Sequence, residues 1–124
     1  MIDDLVSEIK EELTGHILPF WKGLIDRENG GFYGRMDYDG TLRKDAVKGG
    51  ILHARILWAF SNAYSVLKDD TLLEYARHAY EYLTGPMLDT QHGGIFWSVT
   101  ADGRPAEDLK HGYCQAMEIG RAHV

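Results

Sequence analysis

The sequence predicts an all-α fold, an open arc of stacked helical hairpins with short β-hairpins in the connecting loops, and three observations predict it. The first is a duplicated phrase. Asp26-Arg-Glu-Asn-Gly30-Gly31-Phe32-Tyr33, followed by Asp39-Gly40, returns as Asp89-Thr-Gln-His-Gly93-Gly94-Ile95-Phe96-Trp97, followed by Asp102-Gly103. Asp45 and Gly49 are echoed by Asp108 and Gly112, and each matched pair stands 63 residues apart. The second is helical periodicity in the stretches between the copies. The third is the length of the period, which marks a repeat architecture whose units bury an apolar face only against a neighbour. Two copies are too few to finish such an architecture.

Taken in order, Ile2, Leu5, Val6, Ile9 and Leu13 recur at three- and four-residue steps among Asp, Glu and Lys. That spacing predicts a helix with one buried stripe, limited by Pro19. From Phe20 to Lys48 the period gives way to glycines and a short alternation, which predicts a β-hairpin turning at Asp39-Gly40 in a primed turn. From about Gly50 to Lys68, Ile51, Leu52, Ile56, Phe60, Ala63, Tyr64 and Leu67 make a helix apolar enough to be packed on two sides, the inner member of a layered barrel. Thr71-Leu-Leu-Glu74 reads as a capping box that starts an outer helix with Glu74, Arg77, His78 and Glu81 toward solvent. Gly85-Pro86 is expected to close it through a left-handed cap. A second hairpin spans about Gly94 to Pro105, turning at Asp102-Gly103, and a further helix is expected near Asp108. Helix pairs that carry hairpins at one end and repeat about a ring describe an α/α barrel, whose mouth is where long loops place function.

Composition narrows the partners. The 124 residues are 44% apolar and 26% charged, ordinary for a globular domain. With 13 basic against 19 acidic residues the formal charge is -6, which disfavours nucleic acid or an anionic membrane and suits a neutral small molecule. Cys114, the one cysteine, excludes an internal disulfide and a thiolate metal cluster and reads as a small buried thiol in a reducing compartment. The acidic start Met1-Ile-Asp-Asp-Leu5 lacks the charge of a signal peptide, and a cytoplasmic location is the expectation. The last seven residues, Glu118 to Val124, have a codon spelling that after its first base is a common short-read sequencing adapter. Residues 118–124 are therefore expected to be adapter read-through and residues 1–117 the native part of a gene fragment.

Two sequences could carry chemistry. Arg55-Ile-Leu-Trp58 sets a guanidinium and an indole three residues apart on one helix face. Either Arg55 points into the barrel mouth and donates to sugar or enolate oxygens beside the apolar face of Trp58, or it snorkels to a surface carboxylate beside a core tryptophan. Lys110-His111-Gly112-Tyr113-Cys114-Gln115 gathers donors and acceptors where a hairpin meets a helix, a common place for sites, although His111 and Tyr113 also suit structural hydrogen bonds. His16, His53, His78 and His92 show no zinc spacing, so no metal is expected. Asp37, Asp39, Asp45, Asp102, Glu107 and Asp108 raise the question of a glycosidase carboxylate pair, but turn formation accounts for most of them. Phe32, Tyr33, Tyr38, Phe96 and Trp97 suit sugar stacking or a hairpin core equally.

Leu18-Pro-Phe-Trp21, Gly30-Gly-Phe-Tyr-Gly34, Lys48-Gly-Gly-Ile-Leu52 leading into Arg55-Ile-Leu-Trp58, and Lys110-His-Gly-Tyr-Cys-Gln-Ala116 together resemble the opening third of cellobiose 2-epimerases, in the N-acylglucosamine 2-epimerase superfamily. The resemblance covers residues 1–117. It implies a partial (α/α)6 barrel of about two helical-hairpin repeats, cut from an enzyme that inverts C2 of a reducing-end glucose without metal or nucleotide cofactor. The substrate is a cellobiose-like β-1,4 disaccharide, and the path runs through ring opening, proton removal by one histidine, a cis-enediolate, and proton return by a second. Family pattern gives Arg55 a catalytic role and Tyr113 a substrate contact, with Trp58 and His111 beside them, while the two histidines belong to later repeats. His53 stands where relatives often carry Asn or Ser, which bears on substrate preference. The chain alone is expected to turn over no sugar. An open arc is also expected to leave Ile51, Leu57 and Phe60 of the inner helix facing no following pair, which favours aggregation. Competing readings are an N-acylglucosamine 2-epimerase or aldose-ketose isomerase, a six-hairpin glycoside hydrolase, and a non-catalytic carbohydrate-binding or interaction domain.

Overall fold

Helix α1 (Ile2–Glu12) passes through a single π turn (Leu13–Ile17) into α2 (Leu18–Lys22), in a computed structural model that describes residues 1–119. Residues 120–124, most of the tail read as adapter, lie outside the described residues. Pro19 does not limit the helix as expected. The Leu18 N–H reaches the Leu13 carbonyl five residues back, and this widened ring sits just ahead of the proline, which has no N–H to give and crowds the carbonyl one turn earlier. The stripe predicted on α1 forms but stays open: Leu5, Val6 and Ile9 are each more than half exposed, and no residue of α1 is buried. Among the described residues nothing packs on it, whereas Leu18 of α2 enters the core.

The core lies between α3 (Gly50–Leu67) and α4 (Asp70–Thr84). Lys68, in the left-handed region at φ 56°, ends α3 by returning its N–H to the Tyr64 carbonyl, and Asp69 starts α4 by accepting from the Thr71 N–H at 3.0 Å. The cap is thus Asp69 rather than Thr71, because a carboxylate one residue outside the helix reaches the free amides and leaves the Thr71 hydroxyl as a donor to it. Gly85 ends α4 at φ -112°, not in the left-handed conformation expected. Leu57, Phe60 and Ala63 of α3 meet Leu72, Ala76, Ala79 and Leu83 of α4, and Phe60 stacks on Tyr75 at 5.2 Å and on Phe32 of the first loop at 6.3 Å. Leu57 and Phe60 are at most 2% exposed, so the expectation that they face open space fails. α4 and the first loop cover them, while Trp58 and Val66 on the far side of α3 remain open.

The hairpins are shorter than predicted. In the first, Met36 and Leu42 form one bridge around a turn in which the Gly40 N–H bonds the Asp37 carbonyl. Gly40 alone takes positive φ, 87°, and Asp39 does not, so this is a turn closed by one left-handed residue instead of a primed turn. Thr100 to Arg104 repeats the geometry between β2 (Ser98–Val99) and β3 (Pro105–Glu107). A feature unmarked in the sequence joins the repeats: β1 (Lys48–Gly49), just ahead of α3, pairs antiparallel with β2 of the following hairpin, Lys48 opposite Val99. The Gly50 N–H, first of α3, bonds the Trp97 carbonyl at 3.0 Å. Helix α5 (Gly112–Ile119) begins four residues later than expected, after a stretch without regular structure.

Candidate functional site

Arg55 in the second turn of α3 and Tyr113 in the first turn of α5 meet. The guanidinium Nη2 donates to the Tyr113 hydroxyl at 2.9 Å, with both side chains exposed. No ion pair of Arg55 occurs among the described residues, so the snorkel to a carboxylate is not what the helix does. Trp58 lies one turn further along α3 and is 64% exposed, hence not a core tryptophan. His111 stands beside Tyr113 in sequence and packs its ring on Trp97, with centroids 4.2 Å apart. Two open clefts flank this end of α3 and share Leu52. One, of about 320 Å³, runs between the π turn with α2 and α3 and has Arg55 in its wall beside Leu13, Trp21 and Phe60. The other, of about 350 Å³, lies between β1, Trp97 and Glu107. A guanidinium with one donor committed to a tyrosine and no carboxylate against it keeps its remaining donors for an anionic or hydroxyl oxygen.

The elements that bear these groups are held by matched clasps. In the first, Asp26 Oδ1 accepts the Glu28 and Asn29 N–H groups at 3.0 Å, and Oδ2 accepts the buried Lys48 ammonium at 2.7 Å. Burial alone would raise the Asp26 pKa, but the Asn29 amide and Lys48 together bring it below the usual carboxylate value. In the second, Asp89 takes the Gln91 and His92 amides and Lys110, and the Lys110 ammonium, with the His92 amide, holds its pKa down at about 2. The loop ends are clasped by different residues. His53 Nδ1–H donates to the Gly49 carbonyl at 2.7 Å, which leaves Nε2 to accept the Phe32 N–H at 2.9 Å. Gln115 makes the equivalent grip with two bonds, accepting the Ile95 N–H at 2.9 Å and donating to its carbonyl at 2.8 Å.

His53 thus holds the first loop to the start of α3. It is fully buried in the clasp, and burial, outweighing its bond to Gly49, pushes its pKa down to about 4. His78, expected in solvent, is half-buried and donates from Nε2 to the Gly31 carbonyl at 2.9 Å. The clasps also correct the repeat. Lys48, Gly50 and His53 correspond to Lys110, Gly112 and Gln115, an offset of 62. One residue is lost between the second hairpin turn and Lys110, so Gly49 pairs with His111 rather than with Gly112. The Gly-Gly phrase was legible in the sequence, but the Lys and His/Gln grips were not, since their partners match only after that shift. Among the described residues no group of three or more His, Cys, Asp or Glu is placed to hold a metal ion, and no helix is long and apolar enough to cross a membrane.

Comparison with known proteins places these features. The sequence model of the N-acylglucosamine 2-epimerase (GlcNAc 2-epimerase) family matches residues 31–119. A cellobiose 2-epimerase of Ruminococcus albus is 50% identical over 115 residues, 93% of this chain and 30% of that protein. One from Eubacterium cellulosolvens is 50% identical over 111 residues, 90% of this chain and 27% of that protein. The solved cellobiose 2-epimerase of Bacillus thermoamylovorans B4167 matches with 51% identity and a TM-score of 0.91, covering 93% of this chain and 30% of that one. That of Spirochaeta thermophila DSM 6192 gives 40% identity and a TM-score of 0.88, covering 93% and 28%. The helical arc expected from the sequence, a portion of an (α/α)6 barrel, is thus the fold present. The chain spans about 30% of the length of the curated relatives it matches.

Proposed function

The chain belongs to the N-acylglucosamine 2-epimerase family, and on that premise we propose that it forms the amino-terminal arc of a cofactor-independent sugar epimerase acting at C2 of the reducing-end glucose of cellobiose-type disaccharides. The single observation that supports the reading is the contact of Arg55 with Tyr113, which joins two successive inner helices through polar groups unpaired with any carboxylate. In this reading the opened sugar presents its C1 carbonyl and C2 hydroxyl to that pair. A histidine from a later repeat takes the C2 proton, and the C–H electron pair moves into the C1–C2 bond as charge gathers on oxygen. Arg55 donates to that oxygen, Tyr113 fixes the guanidinium and shares in holding the sugar, and a second histidine returns a proton to the opposite face. Trp58 and His111 wall the mouth on either side.

The role of Arg55 is tested in a joined protein, residues 1–117 of this chain continued by the part of the Ruminococcus albus relative beyond the match. Arg55→Ala lowers kcat/KM for cellobiose by about a hundredfold or more, the loss typical of one donor to a developing oxyanion. Activity within about twofold of the parent rejects the assignment. The description of the matched family favours a second substrate, an N-acylglucosamine. The whole protein, recovered from source DNA and given cellobiose and N-acetylglucosamine in turn, decides between them by which sugar is epimerised.

A further inference from the structure

The cleft between the two hairpins has no part in the contact of Arg55 with Tyr113. Gly34 and Val47 of the first hairpin make one wall, Trp97 and Glu107 of the second make the other, and Ile51 and Leu52 of α3 lie between them. The walls are already joined: β1 pairs with β2, and the Trp97 N–H donates to the Glu107 carbonyl at 3.1 Å. Gly34 leaves no room for a side chain, since a Cβ there would overlap the Val47 carbonyl, so its wall is close-packed backbone. At about 350 Å³ the cleft stands at the small end of ligand pockets, which run from roughly 300 to 1,000 Å³.

Its lining joins two contrasting groups. Trp97 is half-buried, and His111 packs on it with ring centroids 4.2 Å apart, so the indole is a fixed apolar surface. Glu107 is exposed, and among the described residues its carboxylate has neither a hydrogen bond nor an ion pair, although its backbone is held in register opposite Ser98. A sugar ring presents C–H faces to an indole and hydroxyl donors to a carboxylate, which accepts only. Glu107 also repels an anionic ligand, so the occupant is neutral.

Two links tie this cleft to Arg55. Leu52 lines both clefts and precedes Arg55 by three residues, about 4.5 Å along the helix axis. His111, which packs on Trp97, is two residues from Tyr113 in sequence. We propose that the cleft between the hairpins is the subsite for the second, non-reacting sugar of a β-1,4 disaccharide, with Trp97 against its ring and Glu107 accepting from its hydroxyls. The inference rests on the epimerase reading and adds to it the part of this chain that tells a disaccharide from a single sugar.

The whole protein and its Glu107→Ala and Trp97→Leu variants, assayed with cellobiose, test it. Each variant raises KM by about fivefold or more and leaves kcat within about threefold, because the lost contacts hold the sugar equally before and during reaction. Thermal unfolding midpoints stay level for Glu107→Ala, whose side chain is exposed, and that variant alone decides if Trp97→Leu does not fold. An unchanged KM overturns the subsite, and so does a fall in kcat at constant KM, which would put Glu107 with the reacting atoms. If the parent protein forms no product from cellobiose, the epimerase reading fails by itself, and calorimetric titration with cellobiose still decides the subsite. Binding that Glu107→Ala weakens by about fivefold or more supports it, and equal affinity or no binding overturns it.

Discussion

The loop from Asp26 to Phe32 and the loop from Asp89 to Ile95 are built from the same parts and finished to different degrees. Each begins with an aspartate whose Oδ1 takes two amides of its own loop and whose N–H bonds the second glycine carbonyl at 2.9 Å. Each ends in a bridge, Ile25 with Phe32 and Leu88 with Ile95. The backbone is the same because local chemistry sets it: a carboxylate that satisfies nearby amides, followed by two glycines at positive φ. The difference lies over the loops. Tyr82 and His78 of α4 cover the glycines of the first, whereas Gly93 and Gly94 of the second are exposed. The shared Asp and Gly-Gly therefore fix the conformation, while burial is set by the chain that follows, and stability is unevenly shared between two segments of the same backbone.

The largest expected effect breaks the comparison at the lysines. Lys48→Met leaves Asp26 buried without its cation and costs about 3–5 kcal/mol in urea unfolding. Lys110→Met, where the lysine is partly exposed and Asp89 keeps its two loop amides, costs less, about 1–2 kcal/mol. Similar losses would mean that the two loops are equally finished.

Acid sharpens the comparison next, because the loop end is gripped by a buried histidine in the first clasp and by Gln115 in the second. His53 has a folded pKa of about 4 against 6.5 unfolded, so the folded state binds fewer protons between those values. Its contribution is complete above pH 6.5 and is lost as the pH falls to 4, about 3 kcal/mol in all. Asp89, held at about 2, loses its contribution only below pH 3.8, and adds nothing to that window. His53→Gln, which copies the Gln115 grip, removes the decline between pH 6.5 and 4. An unchanged profile in that variant assigns the decline to other groups.

The smallest effect separates backbone from cover. Gly30 and Gly93 share nearly the same φ, 83° and 80°, so alanine at either costs about 1 kcal/mol for the left-handed backbone. A Cβ at Gly30 also meets the Tyr82 ring at 3.2 Å, and at Gly93 it meets nothing within 4 Å. Gly30→Ala is thus the more damaging, by roughly 1 kcal/mol, in chemical unfolding. Equal costs remove Tyr82 as the cover.

The elements legible in the sequence are those set by local rules. The α3 pattern, the Gly-Gly phrase and the Asp102-Gly103 turn need only periodicity and φ, and they lie where expected. Pro19 misleads because a π turn absorbs it, and Thr71 because Asp69 reaches the same amides first. Phe60 looks unprotected along the chain because one group that covers it, Phe32, comes from a loop more than 20 residues earlier. At the site, Arg55 and Tyr113 could be picked as polar residues near loop-helix junctions, but their contact spans 58 residues and depends on how α5 is set against α3. The grips that set it, Lys110 on Asp89 and Gln115 on Ile95, stay hidden behind the lost residue that changes the offset to 62.

The central claim, that the arc carries Arg55 and Tyr113 but not the groups that move the proton, is tested most directly by incubating the 124-residue chain and the joined protein with cellobiose in parallel and resolving the products by chromatography. A glucosyl-mannose product is expected from the joined protein and none from the chain alone. An epimerised disaccharide formed by the chain alone would contradict the claim.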